Sequence, residues 1–285
     1  RSRFEAALLR YARRSRWFGS KARQSRNATI VEVVPVPMGE HLAFLTVLRV
    51  EYAEGEPESY LIPVAITHGE TIAQITSEAP WTVIATVDVK GSAPGTGYLA
   101  YDALVSADFR TALIEMIGRR RSFRGQHGTV SGLRTRGVFT RTRGSSQEKL
   151  DSVPMRAEQT NSSVIYGDRF ILKLYRRLEE GTSPELEVGR YLTERQPFAN
   201  VTAVAGAIEY RSEPPAEPVT LAILHKYARA EGDAWSFTLD ALGRYFDHAL
   251  ARSGAPVPTV STRSLLTLSQ DPVSPEADEA VGPYM

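Results

Sequence analysis

The chain has no cysteine. That excludes disulfides, thiolate metal sites and cysteine nucleophiles. It also lacks any long apolar run, and its longest stretches fall far short of the roughly 20 residues that a membrane-crossing helix needs. Charge of one sign is not in excess either. Lys+Arg number 34 against 33 for Asp+Glu, a formal net charge of +1, which gives no general reason to expect nucleic acid or an anionic membrane as partner. The N-terminal segment is basic and amphipathic without the apolar block of a signal peptide, so a cytoplasmic location is expected. A Walker-type phosphate loop and a Gly-x-Ser-x-Gly elbow are both missing. The five histidines, at 41, 68, 127, 225 and 248, show no metal-ligand spacing.

What is present is enough for a large core. Hydrophobic residues make up 42% of 285, so the chain holds material for roughly two domains without staples. Residues 4–16 carry Phe4, Leu8, Leu9 and Tyr11 at near-helical spacing. Strand-like segments follow at 28–36, 41–52, 58–65, 82–88 and 97–101, the second and third joined by a polar hairpin signal at 53–57. This region, with its boundary set at residue 88, reads as one helix against an antiparallel sheet. Residues 106–118 read as a helix with Phe109, Leu113, Ile114 and Ile117 on one stripe. The basic run Arg119-Arg120-Arg121-Ser122-Phe123-Arg124 follows it. An acidic partner or RNA is one reading of that run, and a solvated loop is the preferred one, because the net charge is near zero and only one aromatic is interleaved. Residues 128–145, with short strand-like pieces and many Gly, Arg and Thr, read as a connector within an intermediate segment, 89–150.

The most ordered signal lies in residues 151–228. Strand candidates are 153–158, 163–166 and 169–175, the last two joined by Gly167-Asp168 as a two-residue turn in which glycine supplies the positive φ. Ser183 can cap a helix, Pro184 suits its first position, and Glu185 and Glu187 favour its positive end. Two more strands are expected at 202–210 and 219–227, then a helix at 237–252 with Leu239, Leu242, Phe246 and Leu250 on its apolar stripe. Within 169–175, Lys173 interrupts Phe170-Ile171-Leu172-Lys173-Leu174-Tyr175. Alternation puts it on the face of Ile171 and Tyr175, where burying an ammonium is unfavourable unless it is paired. A solvated edge strand is the plain alternative. The order of elements around Lys173 favours a phosphate-binding role.

That order resembles the small lobe of protein-kinase-like folds, including sugar and antibiotic kinases. The layout implies a loop over the nucleotide phosphates, a lysine on the third strand and a glutamate on the next helix that orients it. Lys173 takes the lysine role. Its partner is Glu187 or Glu185, with Glu187 preferred because it lies further into the helix. Gln159, Asn161, Ser162 and Ser163 form a polar loop able to hydrogen-bond phosphate, and Tyr227 opens the linker that runs past the adenine.

The stretch from Gln159 to Leu178, continued by Ser183-Pro184-Glu185-Leu186-Glu187-Val188-Gly189-Arg190-Tyr191-Leu192, is similar to the ATP-binding segment of bacterial maltokinases. Arg16-Trp17-Phe18-Gly19-Ser20-Lys21-Ala22-Arg23 resembles the start of their N-terminal cap, and Gly232-Asp233-Ala234-Trp235 the segment after the hinge. The cap pattern departs at Ser20 and Ala22, and the last at Ala234, where glycine is usual. The resemblance implies an α+β fold: a cystatin-like cap, a kinase-like small lobe and the start of a helical large lobe at 229–285. It implies ATP and Mg²⁺ as cofactors, maltose as acceptor, maltose 1-phosphate as product for α-glucan synthesis, and trehalose synthase as a partner. No His-Gly-Asp…Asn or Asp-Phe-Glu pattern occurs in 239–285, and Asp247-His248 reads as a solvated pair. The Mg²⁺ ligands and most of the maltose site are therefore expected outside this chain, which is expected to be an inactive fragment of a longer maltokinase. The alternative is a non-catalytic module of cap and pseudo-kinase lobe that docks trehalose synthase.

Overall fold

Alternating side chains build the first of two antiparallel sheets. Its strands are β1 (Ser25–Met38), β2 (His41–Tyr52), β3 (Glu58–His68), β4 (Val83–Val87) and β5 (Tyr98–Asp102), in the order β1-β2-β3-β5-β4. Leu45, Val47, Leu61 and Ala65 enter one core, and Leu48, Val50, Tyr60 and Ile62 enter another. Odd and even residues thus serve opposite faces, as the pleat requires. One face takes helix α1 (Ser2–Arg14), which buries Glu5, Ala7, Leu8, Tyr11 and Ala12 at helical spacing. Trp17 and Phe18 close the same core, with Phe18 stacked on Tyr60 at 4.7 Å. The computed structural model describes residues 2–88, 97–145, 150–155, 160–214, 217–229, 232–251, 262–273, 275, 278 and 282–284.

The sheet runs past the expected boundary at 88, since β5 is inserted between β3 and β4. The short helix α2 (Glu70–Glu78) was not anticipated. Only one of its residues, Ile75, is buried, so its sequence shows no strong stripe.

The other face of the first sheet meets helix α3 (Ala107–Gly118), whose Phe109, Leu113, Met116 and Ile117 belong to a core shared with the second sheet. That sheet contains β6 (Ser122–Arg124), β7 (Gly128–Arg134), β8 (Ser152–Pro154), β9 (Asn161–Tyr166), β10 (Phe170–Tyr175), β12 (Val204–Ser212) and β13 (Val219–Lys226), in the order β6-β7-β12-β13-β10-β9-β8. Of the stretch expected at 128–145 as a connector with short strand-like pieces, residues Gly128–Arg134 form a full strand of the sheet. Helix α4 (Val138–Arg143) follows β7, and α5 (Pro184–Glu194) lies on the second sheet against β12. The turn between β9 and β10 holds three residues rather than two: Tyr166 pairs with Phe170, and Gly167 takes φ 56°.

After β10 the chain leaves the second sheet, and β11 (Arg177–Leu178) pairs with β3 of the first. At this crossing Arg176 is 3% exposed, and so is the Asp102 side chain. Arg176 Nη1 lies 2.8 Å from Asp102 Oδ2, a charge contact outside hydrogen-bond angles. Arg176 Nε donates to Ser162 Oγ at 2.8 Å, and Tyr11 Oη donates to Asp102 Oδ2 at 2.7 Å. The cap helix, both sheets and the strand of Lys173 meet at this joint.

A second joint centres on Glu32 of β1. It is 2% exposed and accepts from the Gln126 and His127 amides and from Tyr210 Oη at 2.6 Å.

Residues Arg1–Ala228 form one compact unit and Arg229–Met285 another. The second contains α6 (Ala234–Ala251) and the single-turn helix α7 (Leu265–Leu268). No residue of α6 is buried, so Leu239, Leu242, Phe246 and Leu250 form an exposed stripe. No helix among the described residues is long and apolar enough to cross a membrane.

Candidate nucleotide-phosphate site

β10 is paired on both sides, to β13 and to β9, which removes the edge-strand reading of Lys173. Its burial alternates strictly: Phe170, Leu172 and Leu174 are buried, while Ile171, Lys173 and Tyr175 are half-buried on the other face. Lys173 stands opposite Ser163 on β9 and Ile223 on β13. Its Nζ donates to Glu185 Oε2 at 2.6 Å and lies 5.3 Å from the centre of the Tyr175 ring.

The partner is thus Glu185, and the preference for Glu187 is corrected. α5 sets its inner face with Leu186 and Gly189, both buried. Adding Cβ to Gly189 would bring it 2.7 Å from Val204, which shows how closely this face approaches β12. Glu187 is two positions from Glu185, about 200° around the helix, and is exposed. The helix start is also fixed differently from the expectation. Ser183 occupies the position before the first turn but makes no side-chain cap. Its amide donates to Thr220 Oγ1 at 2.9 Å, and its hydroxyl meets Tyr175 Oη at 3.2 Å.

Glu185 collects three donors. Besides Lys173, Tyr175 Oη donates to Oε2 at 2.7 Å, and His225 Nε2 stands 3.4 Å from Oε1. The His225 contact, followed by the Lys173 and Tyr175 hydrogen bonds, holds the Glu185 carboxyl down at about 2, against the opposing effect of burial. Burial, with the Glu185 carboxylate beside it, pushes the Tyr175 hydroxyl upward, so it remains a donor. Tyr175 and the His225 ring are the members that sequence reasoning missed. Alternation offered the signal for both: Tyr175 shares the face of Lys173, and His225 shares that of Ile223.

The remaining predicted residues divide. Asn161 and Ser163 lie in β9 rather than in a loop, on the Lys173 face, opposite Tyr175 and Lys173. Ser162 points to the other face, where it accepts from Arg176, and is withdrawn as a phosphate ligand. Gln159 lies outside the described residues. Tyr227 follows β13, and its amide donates to Arg169 O at 2.7 Å. It sits four residues along the strand from Ile223, about 13 Å. Lys173 and Asn161 are partly exposed on this face, whereas Ser163 is buried at 1% exposure. No cluster of three acidic or histidine side chains among the described residues could hold a metal ion, so the described residues do not fit Mg²⁺.

The site defines a class: an antiparallel lobe with a strand lysine paired to a helix glutamate, built onto a helix-and-sheet cap. Residues 11–105 match the family described as the maltokinase N-terminal cap domain. The matched segment includes Arg16–Arg23 and runs from the last turn of α1 to the end of β5 and just beyond. Within it, Ser20 and Arg23 both reach Glu58, at 2.9 and 3.2 Å. Among solved structures, the chain is similar to a glucosamine kinase in complex with glucosamine, ADP and inorganic phosphate, at 15% identity and TM-score 0.45, over 82% of this chain and 43% of that one. A second crystal form of glucosamine kinase gives 14% identity and TM-score 0.45, over 81% and 42%. The chain spans less than half the length of these structures.

Proposed function

We propose that this chain is the ATP-binding half of a maltokinase, in which Lys173, held by Glu185, receives the phosphates of ATP. The observation that carries the reading is the 2.6 Å Lys173–Glu185 pair on a doubly paired strand. The cap match at 11–105 supports maltose as the acceptor. When bound, ATP supplies the phosphoryl group that converts maltose to maltose 1-phosphate. The residues of this chain bind and orient. Lys173 neutralises phosphate charge, Glu185 fixes its ammonium, Tyr175 and His225 hold Glu185, and Asn161 offers a further hydrogen bond. Tyr227 stands at the adenine side. In the same reading, Mg²⁺ ligands and the transfer machinery lie on residues this chain does not carry, so the chain alone makes no maltose 1-phosphate. The protein works in the cytoplasm beside trehalose synthase, and its product enters α-glucan synthesis. The cap is residues 1–105, the lobe ends near 228, and 229–285 open the large lobe.

The test is calorimetric titration of the chain with ATP. Wild type binds saturably, and Lys173→Ala binds at least about tenfold more weakly, the range expected for losing a hydrogen bond to a charged group. Equal affinities of the two proteins would overturn the reading.

A further inference from the structure

The structure assigns a second anion site to the same unit, on the second sheet two strands away from Lys173, across β13. A cavity of about 250 Å³ opens between β7, β12 and α5. Arg120, Arg134 and Arg190 line it, with Thr135 beside them. No carboxylate does. Arg120 and Arg190 are exposed and Arg134 is half-buried, so three guanidinium groups from three separate elements, without an acid in the lining, make a positive patch that suits an anion.

Two of the three are only lightly engaged. Arg134 is half-buried, and its Nη1 donates to the Gly118 carbonyl at 3.2 Å. That bond orients the fork without neutralising it. Arg190 meets Glu194 one turn along α5 at 3.4 Å, both partly exposed, an arrangement of little strength. Arg120 has no carboxylate partner among the described residues.

The backbone gives an independent reason. Arg120 has φ 52°, the one non-glycine residue with positive φ among those described. It follows the end of α3, where the Arg121 amide closes the turn onto Met116 O at 2.9 Å. This is the left-handed position after a helix, which glycine normally fills because it has no Cβ. An arginine kept there is a local conflict between backbone preference and side chain, of the kind that accompanies function. The function it points to is the guanidinium at the cavity mouth.

The ligand is a phosphate group, free or as the monoester of a small sugar. Arginine forks match phosphate oxygens in pairs, and the cavity is below the roughly 300–1,000 Å³ of pockets that enclose drug-sized ligands. Lys173 is not in the lining, but it is near: Ala207 pairs with Ile223 and Ile223 with Lys173, two strands or about 10 Å away. The ligand of this site would tie α5, the helix of Glu185, to β7.

The experiment titrates the chain with inorganic phosphate and, separately, with glucose 1-phosphate, following binding by calorimetry and folding by thermal melting. Arg120→Gly is the informative variant, because it relaxes the backbone while deleting the guanidinium. It is expected to melt at or above the wild-type temperature yet bind phosphate about tenfold more weakly. Arg134→Ala is expected to weaken binding by a similar factor, and Lys173→Ala to leave it unchanged. Binding of both probes through the arginines supports the site, and a tighter grip on one identifies the source. The proposal is overturned if wild type binds neither probe saturably. It is also overturned if Arg120→Gly and Arg134→Ala keep full affinity, or if Lys173→Ala abolishes binding.

Discussion

Replacing Arg176 by alanine tests whether the cap is a structural part of the lobe. The arginine and Asp102 are each 3% exposed, and their charges stand 2.8 Å apart. Breaking a buried pair by deleting one partner leaves a charge without compensation, which costs about 3–5 kcal/mol. Asp102 keeps two donors in the variant, Tyr11 Oη at 2.7 Å and the Leu104 amide at 3.0 Å, so the lower end, about 3 kcal/mol, applies. For a unit of this size each kcal/mol moves the melting temperature by about 2–4 °C. Arg176→Ala should therefore melt about 6–12 °C below wild type, read by circular dichroism. Arg177 is the internal control. Its Nη1 is 3.5 Å from Glu58, but its side chain is 55% exposed, and such pairs contribute about 0–1 kcal/mol. Arg177→Ala should shift the melt by no more than about 4 °C. A shift of under about 3 °C for Arg176→Ala, or equal shifts for the two variants, would refute the argument that the joint is buried and coupled.

Two further outcomes follow from geometry. The Glu185 carboxyl is held down at about 2 from an ordinary 4.5, chiefly by His225 and then Lys173. Its contribution to stability is therefore fully present above pH 4.5 and fades as pH falls from 4.5 towards 2. The gap between wild type and Glu185→Gln in urea unfolding should close over that window, and a constant gap would contradict the assignment. Gly132→Ala would place its Cβ 2.1 Å from the Met116 carbonyl oxygen of α3. Since backbone must move, a loss of about 3 kcal/mol or more is expected, seen as a melting temperature lowered by at least about 6 °C.

The same glycine explains part of what the sequence concealed. β7 shows only as short strand-like pieces in a connector because Gly128 and Gly132 look like loop residues, whereas they are glycines that let α3 and β12 approach: a Cβ on Gly128 would fall 2.3 Å from the Arg211 carbonyl oxygen. β10 is legible because one lysine interrupts an apolar run, and because a glycine turn and an acidic helix flank it. The choice between Glu185 and Glu187 was not legible. It depends on helix phase, which buried Leu186 and Gly189 fix only once α5 is docked. Ser162 and Ser163 look alike in a polar run, yet strand register sends them to opposite faces. The Arg176–Asp102 joint links residues 74 positions apart, a pairing that no local pattern carries. The cap had no evident role in the sequence. The structure makes it the partner of the strand that follows Lys173.

The most direct test of the central claim compares ATP binding by Glu185→Gln and Glu187→Gln, side by side with wild type. If Lys173 receives the phosphates and Glu185 holds it, Glu185→Gln binds ATP at least about fivefold more weakly, in line with losing a charged hydrogen bond, and Glu187→Gln binds as wild type does. Unchanged affinity in Glu185→Gln, or a loss confined to Glu187→Gln, would contradict the site.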